Sequence, residues 1–362
     1  MPEVRLVDLQ KEYPGVIAVK NVSITFSTAA VTCLLGPSGC GKTTMMRIIA
    51  GLESPTAGDV FFDDHRITDL PARKRKIGMV FQYPVVYRSI SVYRNIELPL
   101  LEEKLSTSER KQRIRQVIDI LGLEDSVEKE ISQLDSGTRQ KVAIARTVAR
   151  QPAVILFDEP ITNVDAEAKV QLKRALKELT RQLQQTIIYV THDQTEAMTL
   201  ADQIALMKEG EIVQLDAPRK LYNRPDDVFG GWFLGNPGMN FFEHQVVALD
   251  GGLGLKSPLF PEPLKISGLN GQDRLTIGIR PEHVRLGHKS SNMAVKGRVQ
   301  RKFIVVGGFY LVSIAMGDKI IKVKVDPALG GRIEDEIWVE CPLDWITLFG
   351  PDGRRLKATL SV

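Results

Sequence analysis

The residues best suited to chemistry lie in one run, Gly36-Pro37-Ser38-Gly39-Cys40-Gly41-Lys42-Thr43-Thr44, which meets the G-x-x-x-x-G-K-[ST] spacing from Gly36 to Thr43. Glycines at these positions let successive backbone N–H groups turn inward around a phosphate. A helix starting behind them adds its partial positive charge. Lys42 can then reach β- and γ-phosphates, and the Thr43 hydroxyl can ligate Mg²⁺. Cys40 sits inside this loop, where its thiol is either unusually reactive or a small filler. A second constellation is Val154-Ile155-Leu156-Phe157-Asp158-Glu159, an apolar run ending in two acids. A buried strand of this kind delivers Asp158 rigidly to a magnesium shell and places Glu159 to polarise an attacking water. Together the two elements describe a nucleoside triphosphatase with a place for Mg²⁺.

These residues need a scaffold, and the first part of the chain alternates strand-like and helix-like runs in the α/β manner. Residues 31–35, 154–157 and 186–190 read as short buried strands. Residues 106–121 and 137–150 have helical periodicity, with Ile114, Val117, Ile118 and Leu121 on one face and Val142, Ala145, Val148 and Ala149 on another. The composition shifts at Gly235-Asn236-Pro237-Gly238, a breaker cluster that reads as a linker. Beyond it, residues 244–250, 274–280, 295–306, 309–315 and 319–325 read as the strands of a small barrel or sandwich. The expected domains are therefore 1–235 and 236–362, a comfortable division of 362 residues.

Composition narrows the class. A net charge of +4 with interspersed acids gives no nucleic-acid footprint, and Arg73-Lys74-Arg75-Lys76 reads as a solvated turn. Cys33, Cys40 and Cys341 lack metal-like spacing, which fits a reducing compartment. The N-terminal residues lack an apolar signal region, and no run approaches the ~20 apolar residues of a spanning helix, so any membrane role must come through another chain. His65, His244, His283 and His288 have no motif context and read as surface or packing residues.

The ordered set of the glycine-rich loop, Gln82 in MVFQ, LDSGTRQ at 134–140, Asp158-Glu159 and His192 in YVTHD resembles the ABC ATPase family over roughly residues 3–235. The resemblance implies a RecA-like core with antiparallel β and helical subdomains, the latter at about 85–150. It also implies that Tyr13 stacks on adenine and that Gln82 contacts Mg²⁺ or the attacking water. His192 would contact the γ-phosphate, and Asp165 would contact an opposing subunit. Two such domains pair head to tail, the signature of one covering ATP held by the P-loop of the other.

The family signature is Leu-Ser-Gly-Gly-Gln, whereas this chain has Leu134-Asp135-Ser136-Gly137-Thr138. Losing a serine hydrogen bond to a charged group costs roughly 1.5–3 kcal/mol. A carboxylate about 4 Å from one phosphate charge adds repulsion of about 4 kcal/mol at an effective dielectric of about 20, unless it protonates or rotates away. Ser136 in place of glycine also hinders close approach. The expectation is a signature that caps ATP poorly, and therefore a second, non-identical ATPase subunit with a complete one. A homodimer with two compromised sites is the rival.

Gly238-Met239-Asn240-Phe241, together with Ile277-Gly278-Ile279-Arg280-Pro281-Glu282, resemble segments of the OB-like, TOBE-type regulatory domain of carbohydrate-importer ATPases over 236–362. That domain either enlarges a dimer interface or senses a metabolite or regulatory protein. The whole resemblance implies a peripheral motor on the cytoplasmic face of the inner membrane. Two transmembrane permease subunits would dock near Tyr83–Tyr93, with an extracytoplasmic solute-binding protein acting indirectly. The implied solute is a sugar, polyol or glycerol-like compound. Alternatives are glycerol phosphate, a polyamine, an anion, or an ABC-type ATPase not coupled to transport.

Overall fold

Short, mostly apolar runs become the inner strands of a six-stranded sheet, ordered Glu211–Asp216, Gln203–Lys208, Val31–Leu35, Thr186–Thr191, Val154–Asp158, Ile77–Val80. This computed structural model describes residues 2–250, 252–269, 271–305 and 307–362. All neighbours in the sheet are parallel except Glu211–Asp216. Val31–Leu35, Val154–Asp158 and Thr186–Thr191 are buried at every residue, as strands covered on both faces must be. Helix Lys42–Ala50 shares one apolar cluster with this sheet, through Met45, Met46, Ile48 and Ile49 beside Leu34, Leu156, Ile188 and Val190.

A four-stranded antiparallel sheet, Val16–Phe26, Val4–Tyr13, Ala57–Phe62 and His65–Arg66, joins the same cluster. The helical portion contains Val92–Glu97, Thr107–Leu121 and Ser136–Val148. Thr107–Leu121 starts at a capping box made by Ser106 and Glu109, and buries the four residues Ile114, Val117, Ile118 and Leu121 expected from its periodicity.

The basic run at 73–76 is not all solvated. Arg73, Lys74 and Lys76 are exposed, but Arg75 is buried. Its guanidinium donates to the carbonyls of Ile48 (2.7 Å) and Ile49 (2.8 Å), at the end of helix Lys42–Ala50, and to those of Thr68 (2.7 Å) and Leu70 (2.8 Å). A planar fork of five donors suits such a cluster of acceptors, and cations favour helix C-termini. Four lysine- or arginine-type residues in a row carry no signal that one of them turns inward.

The chain divides into compact units Met1–Arg219 and Lys220–Val362. The division precedes the breaker cluster at 235–238, and Arg280 gives the reason. Its side chain, 1% exposed, donates to the carbonyls of Tyr222, Gly231 and Leu234 and lies over the Tyr222 ring, binding 222–234 into the second unit. The second unit is built from antiparallel sheets of three, four and five strands, with short helices at Val228–Phe233 and Pro327–Gly330. Strands occur at Asn240–Gln245, Val247–Leu249, Arg274–Ile279, Ala294–Ile304, Tyr310–Met316 and Lys319–Val325, close to the expected runs. The last residue of the expected 295–306 strand, Val306, lies outside the described residues. His244 is buried there, its pKa lowered to about 4 chiefly by desolvation, and His283 stacks on Trp345 at 3.8 Å.

Candidate nucleotide-binding site

Strand register sets the site. Leu35 pairs with Thr191, Asp158 with Val190, and Val80 with Phe157, so the segments that follow these neighbouring strands emerge along one sheet edge. That edge carries the glycine-rich loop, Gln82, Asp158-Glu159 and His192, and carboxyl ends of parallel strands are where open α/β sheets bind ligands.

The loop leans on close backbone approaches. A Cβ at Gly36 would lie 2.3 Å from the Met207 carbonyl oxygen, and one at Gly41 would lie 2.2 Å from that of Ala18. Gly41 also has φ 101° and serves as N-cap of helix Lys42–Ala50 with no side chain capping it. Lys42, 4% exposed, donates to the Gly36 and Pro37 carbonyls at 2.9 Å each, so its ammonium lies within the loop formed by 36–41. Cys40 is buried, and burial pushes its thiol pKa up despite Lys42 nearby. It therefore packs as a small filler, held as the thiol.

Thr43 Oγ1 donates to Asp158 Oδ1 at 3.3 Å. Burial raises the Asp158 pKa, Thr43 opposes that shift, and the Glu159 charge adds to it. A hydroxyl beside a carboxylate is a hard-oxygen pair that fits Mg²⁺, which commonly takes one or two protein ligands and completes its shell with phosphate and water. Among the described residues no group of three or more His, Cys, Asp or Glu could hold a metal alone.

Glu159 sits at φ 44°, a left-handed conformation that costs a non-glycine residue roughly 1–2 kcal/mol. Its N–H donates to the Val190 carbonyl at 3.0 Å, which holds the turn. Its Oε2 lies 3.1 Å from His192 Nδ1 and accepts from the Thr162 hydroxyl at 3.1 Å. Half-exposed His192 and shielded Glu159 thus meet at the mouth of the site.

Tyr13, 40% exposed, donates its hydroxyl to Glu53, and that bond is the main reason its pKa is raised; Thr44 and Arg47 pull the other way. Lys11 lies over its ring at 5.0 Å. Tyr13 therefore stands beside the first helix of the phosphate loop.

Gln82 is partly buried, and the segment around it is tied down on two sides, connections that motif spacing did not reveal. Asn163 Nδ2 donates to the Gln82 carbonyl at 3.3 Å. Gln140 Nε2 donates to the Phe81 carbonyl at 3.2 Å and Arg146 to that of Val85 at 2.9 Å, joining this loop to helix Ser136–Val148.

At the signature, Asp135 is the N-cap of that helix. Its Oδ1 accepts from the Thr138 N–H at 2.8 Å and its Oδ2 from the Thr138 hydroxyl at 2.7 Å. Burial alone would raise its pKa, but the hydrogen bonds outweigh it and the net shift is downward. Of the two escapes open to this carboxylate, protonation is thus disfavoured and rotation onto its own helix is what occurs. Ser136 remains exposed at the first helical position, while Gly137 is buried, with its Cβ direction 2.6 Å from the Ala168 methyl. Asp-x-x-Thr ahead of a helical run was a readable cap signal.

The sequence profile of ABC transporters matches residues 19–162. The sulfoquinovosyl glycerol transport ATP-binding protein SmoE of Agrobacterium fabrum is 37% identical over 98% of this chain and 99% of its own length. This chain belongs to the ABC transporter family. Trehalose/maltose import ATP-binding protein MalK of Thermococcus litoralis is 41% identical over 78% of each chain. Among solved structures, this ABC ATPase is similar to cbiO1 of Clostridium perfringens, part of a cbiONQ transporter complex (TM-score 0.56, 28% identity, 60% of this chain and 89% of that one). It is also similar to a dimeric ATP-binding cassette in a post-hydrolysis state bound to ADP and Pi (TM-score 0.53, 32% identity, 60% and 99%). The ABC ATPase therefore binds and hydrolyses nucleotide, and its described helices include none long and apolar enough to cross a membrane.

Proposed function

We propose that this ABC ATPase energises import of a sugar, polyol or glycerol-like solute, working at the cytoplasmic face of a membrane with two permease subunits. The names of its relatives support the solute class, which spans sulfoquinovosyl glycerol and trehalose or maltose. The observation that carries the catalytic reading is the meeting of Glu159 and His192 at 3.1 Å, just past the paired strands Val154–Asp158 and Thr186–Thr191. Lys42 and the loop N–H groups grip the terminal phosphates, and Tyr13 offers its ring to the adenine. Thr43, Asp158 and Gln82 would hold Mg²⁺, which would supply positive charge to offset that of the phosphates. Glu159 orients water in line with the γ-phosphate, and His192 holds Glu159 and the phosphate in register.

A groove of about 210 Å³ between strand Ile77–Val80 and helix Ser136–Val148, lined in part by Phe81, Val85, Pro99, Arg146 and Arg150, supports permease docking. Tyr83, Val85 and Tyr87 stand exposed beside it. ATP-driven closure of two motor domains then moves the docked segments, because closed and open states differ in affinity for ATP.

The altered signature supports pairing with a second ATPase subunit. One composite site combines this P-loop with the partner's signature; the other relies on Asp135-Ser136-Gly137 and is weak. The test is ATP hydrolysis by the purified chain alone, with the candidate second subunit, and with both in permease-containing vesicles supplied with polyols and sugars. Turnover requiring the second subunit and stimulated by one of these solutes is expected. Full turnover by the chain alone defeats the unequal pair, and an assembled complex indifferent to every such solute defeats the solute class.

A further inference from the structure

The mechanism above leaves unused a set of charged groups next to His192, one of them deeply buried. Glu196 is 5% exposed. Its Oε2 accepts from the Tyr189 hydroxyl at 3.0 Å and from the Thr191 hydroxyl at 2.9 Å, and its Oε1 lies 3.7 Å from Lys173 Nζ. The same ammonium lies 3.2 Å from Asp193 Oδ2. Asp193 donates its N–H to Thr191 Oγ1 at 2.9 Å, and its Oδ1 accepts from the N–H groups of Thr195 (2.7 Å) and Glu196 (3.1 Å). The residues on both sides of His192 are therefore pinned by one network, while its imidazole meets Glu159.

Lys173 comes from a different element, helix Ala166–Gln182, whose N-cap is Asp165. The link thus runs from the helix that follows the 161–165 loop, through one ammonium, to the backbone that carries His192. A carboxylate this deep is costly unless paired, and apolar residues of similar volume would fill the space at no greater cost, so stability alone does not account for the network. Burial raises the Glu196 pKa and Asp193 adds to that, while Thr191, Lys173 and Tyr189 favour the charged form.

We propose that Lys173 and Glu196 are positioning residues for ATP hydrolysis, a clasp that fixes His192 against Glu159 and ties its placement to the helix beginning at Asp165. The inference rests on the catalytic reading of Glu159 and His192 given above. Glu196→Gln isolates the clasp, because the amide oxygen can still accept from Tyr189 and Thr191 while its NH₂ faces Lys173. Lys173→Met removes that link from the other side, and the Asp193 pair with it.

The experiment measures kcat and KM for ATP, and the thermal midpoint, in the fully assembled transporter. It compares Glu196→Gln, Lys173→Met, the double variant and His192→Ala. Misplacing a catalytic group by a fraction of an ångström predicts about a tenfold fall in kcat for each single variant, with KM within about twofold. The thermal midpoint should remain close to that of the unaltered protein for Glu196→Gln and fall for Lys173→Met, which leaves a buried carboxylate without its cation. The double variant should match Lys173→Met instead of multiplying the two losses, since both remove one link. The clasp is overturned if Glu196→Gln keeps kcat within about twofold while His192→Ala is inactive, if the losses multiply, or if the Glu196→Gln loss comes with an equal fall in the thermal midpoint. If His192→Ala itself turns over ATP at the unaltered rate, the assignment of His192 fails first and the clasp with it.

Discussion

Two helices in the first unit begin at the glycine-rich loop and at the signature segment, and they are finished in opposite ways. Helix Lys42–Ala50 begins at Gly41, which has no side chain to occupy the first-turn N–H groups. Helix Ser136–Val148 begins at Asp135, whose carboxylate turns back to accept from Thr138 N–H. Every helix start leaves N–H donors without intrahelical partners. The first helix keeps them for an anion, and the second spends one on itself and adds a negative charge. The same chain thus has one terminus open to a phosphate and another occupied by a carboxylate, the contrast on which the proposed unequal pair rests.

Four substitutions bear on this contrast, taken from the largest effect to the smallest. Lys42→Ala should lower ATP hydrolysis by the assembled transporter about 100-fold or more, because the cation is lost where charge develops. Unaltered turnover would overthrow the motor assignment. Gly41→Ala places a Cβ 2.2 Å from the Ala18 oxygen at φ 101°, so ATP affinity, read by equilibrium binding, should fall on the order of tenfold or more together with the thermal midpoint.

Asp135→Ser tests the other terminus. In an assembly whose own Lys42 is replaced, only the partner's P-loop turns over, and restoring a hydroxyl donor should tighten its apparent ATP affinity about tenfold, equivalent to roughly 1.5 kcal/mol. An unchanged KM would mean that the self-capped signature is no handicap. Asp135→Ala should cost about 1 kcal/mol of stability, a shift of about 2–4 °C in the thermal midpoint. Because the folded pKa of Asp135 lies below its unfolded value, this contribution is complete above the usual aspartate range and fades as pH falls through the folded pKa. The gap between the two proteins should therefore hold at neutral pH and close below about pH 4.

The phosphate loop, Asp158-Glu159 and the helix at Thr107–Leu121 were legible because each needs a fixed spacing of residue types, and spacing survives in one dimension. The direction in which Asp135 points was not read, although Thr138 three residues later offered the cue. Lys173, Asp193 and Glu196 were invisible for a different reason. Lys173 is remote in sequence from the other two, and a charged residue on a periodic helix reads as solvated until its neighbours are known. Arg75 and Arg280 escaped in the same way, each consumed by backbone carbonyls from elements distant in sequence.

Arg280 also dictates where the chain can be divided. A cut after residue 235, the place that composition suggests, leaves the carboxyl-terminal fragment with a buried guanidinium stripped of the Tyr222, Gly231 and Leu234 oxygens that solvate it. A cut after Arg219 keeps donor and acceptors on one polypeptide, so the carboxyl-terminal strands should be expressed together with residues 220–234 ahead of them.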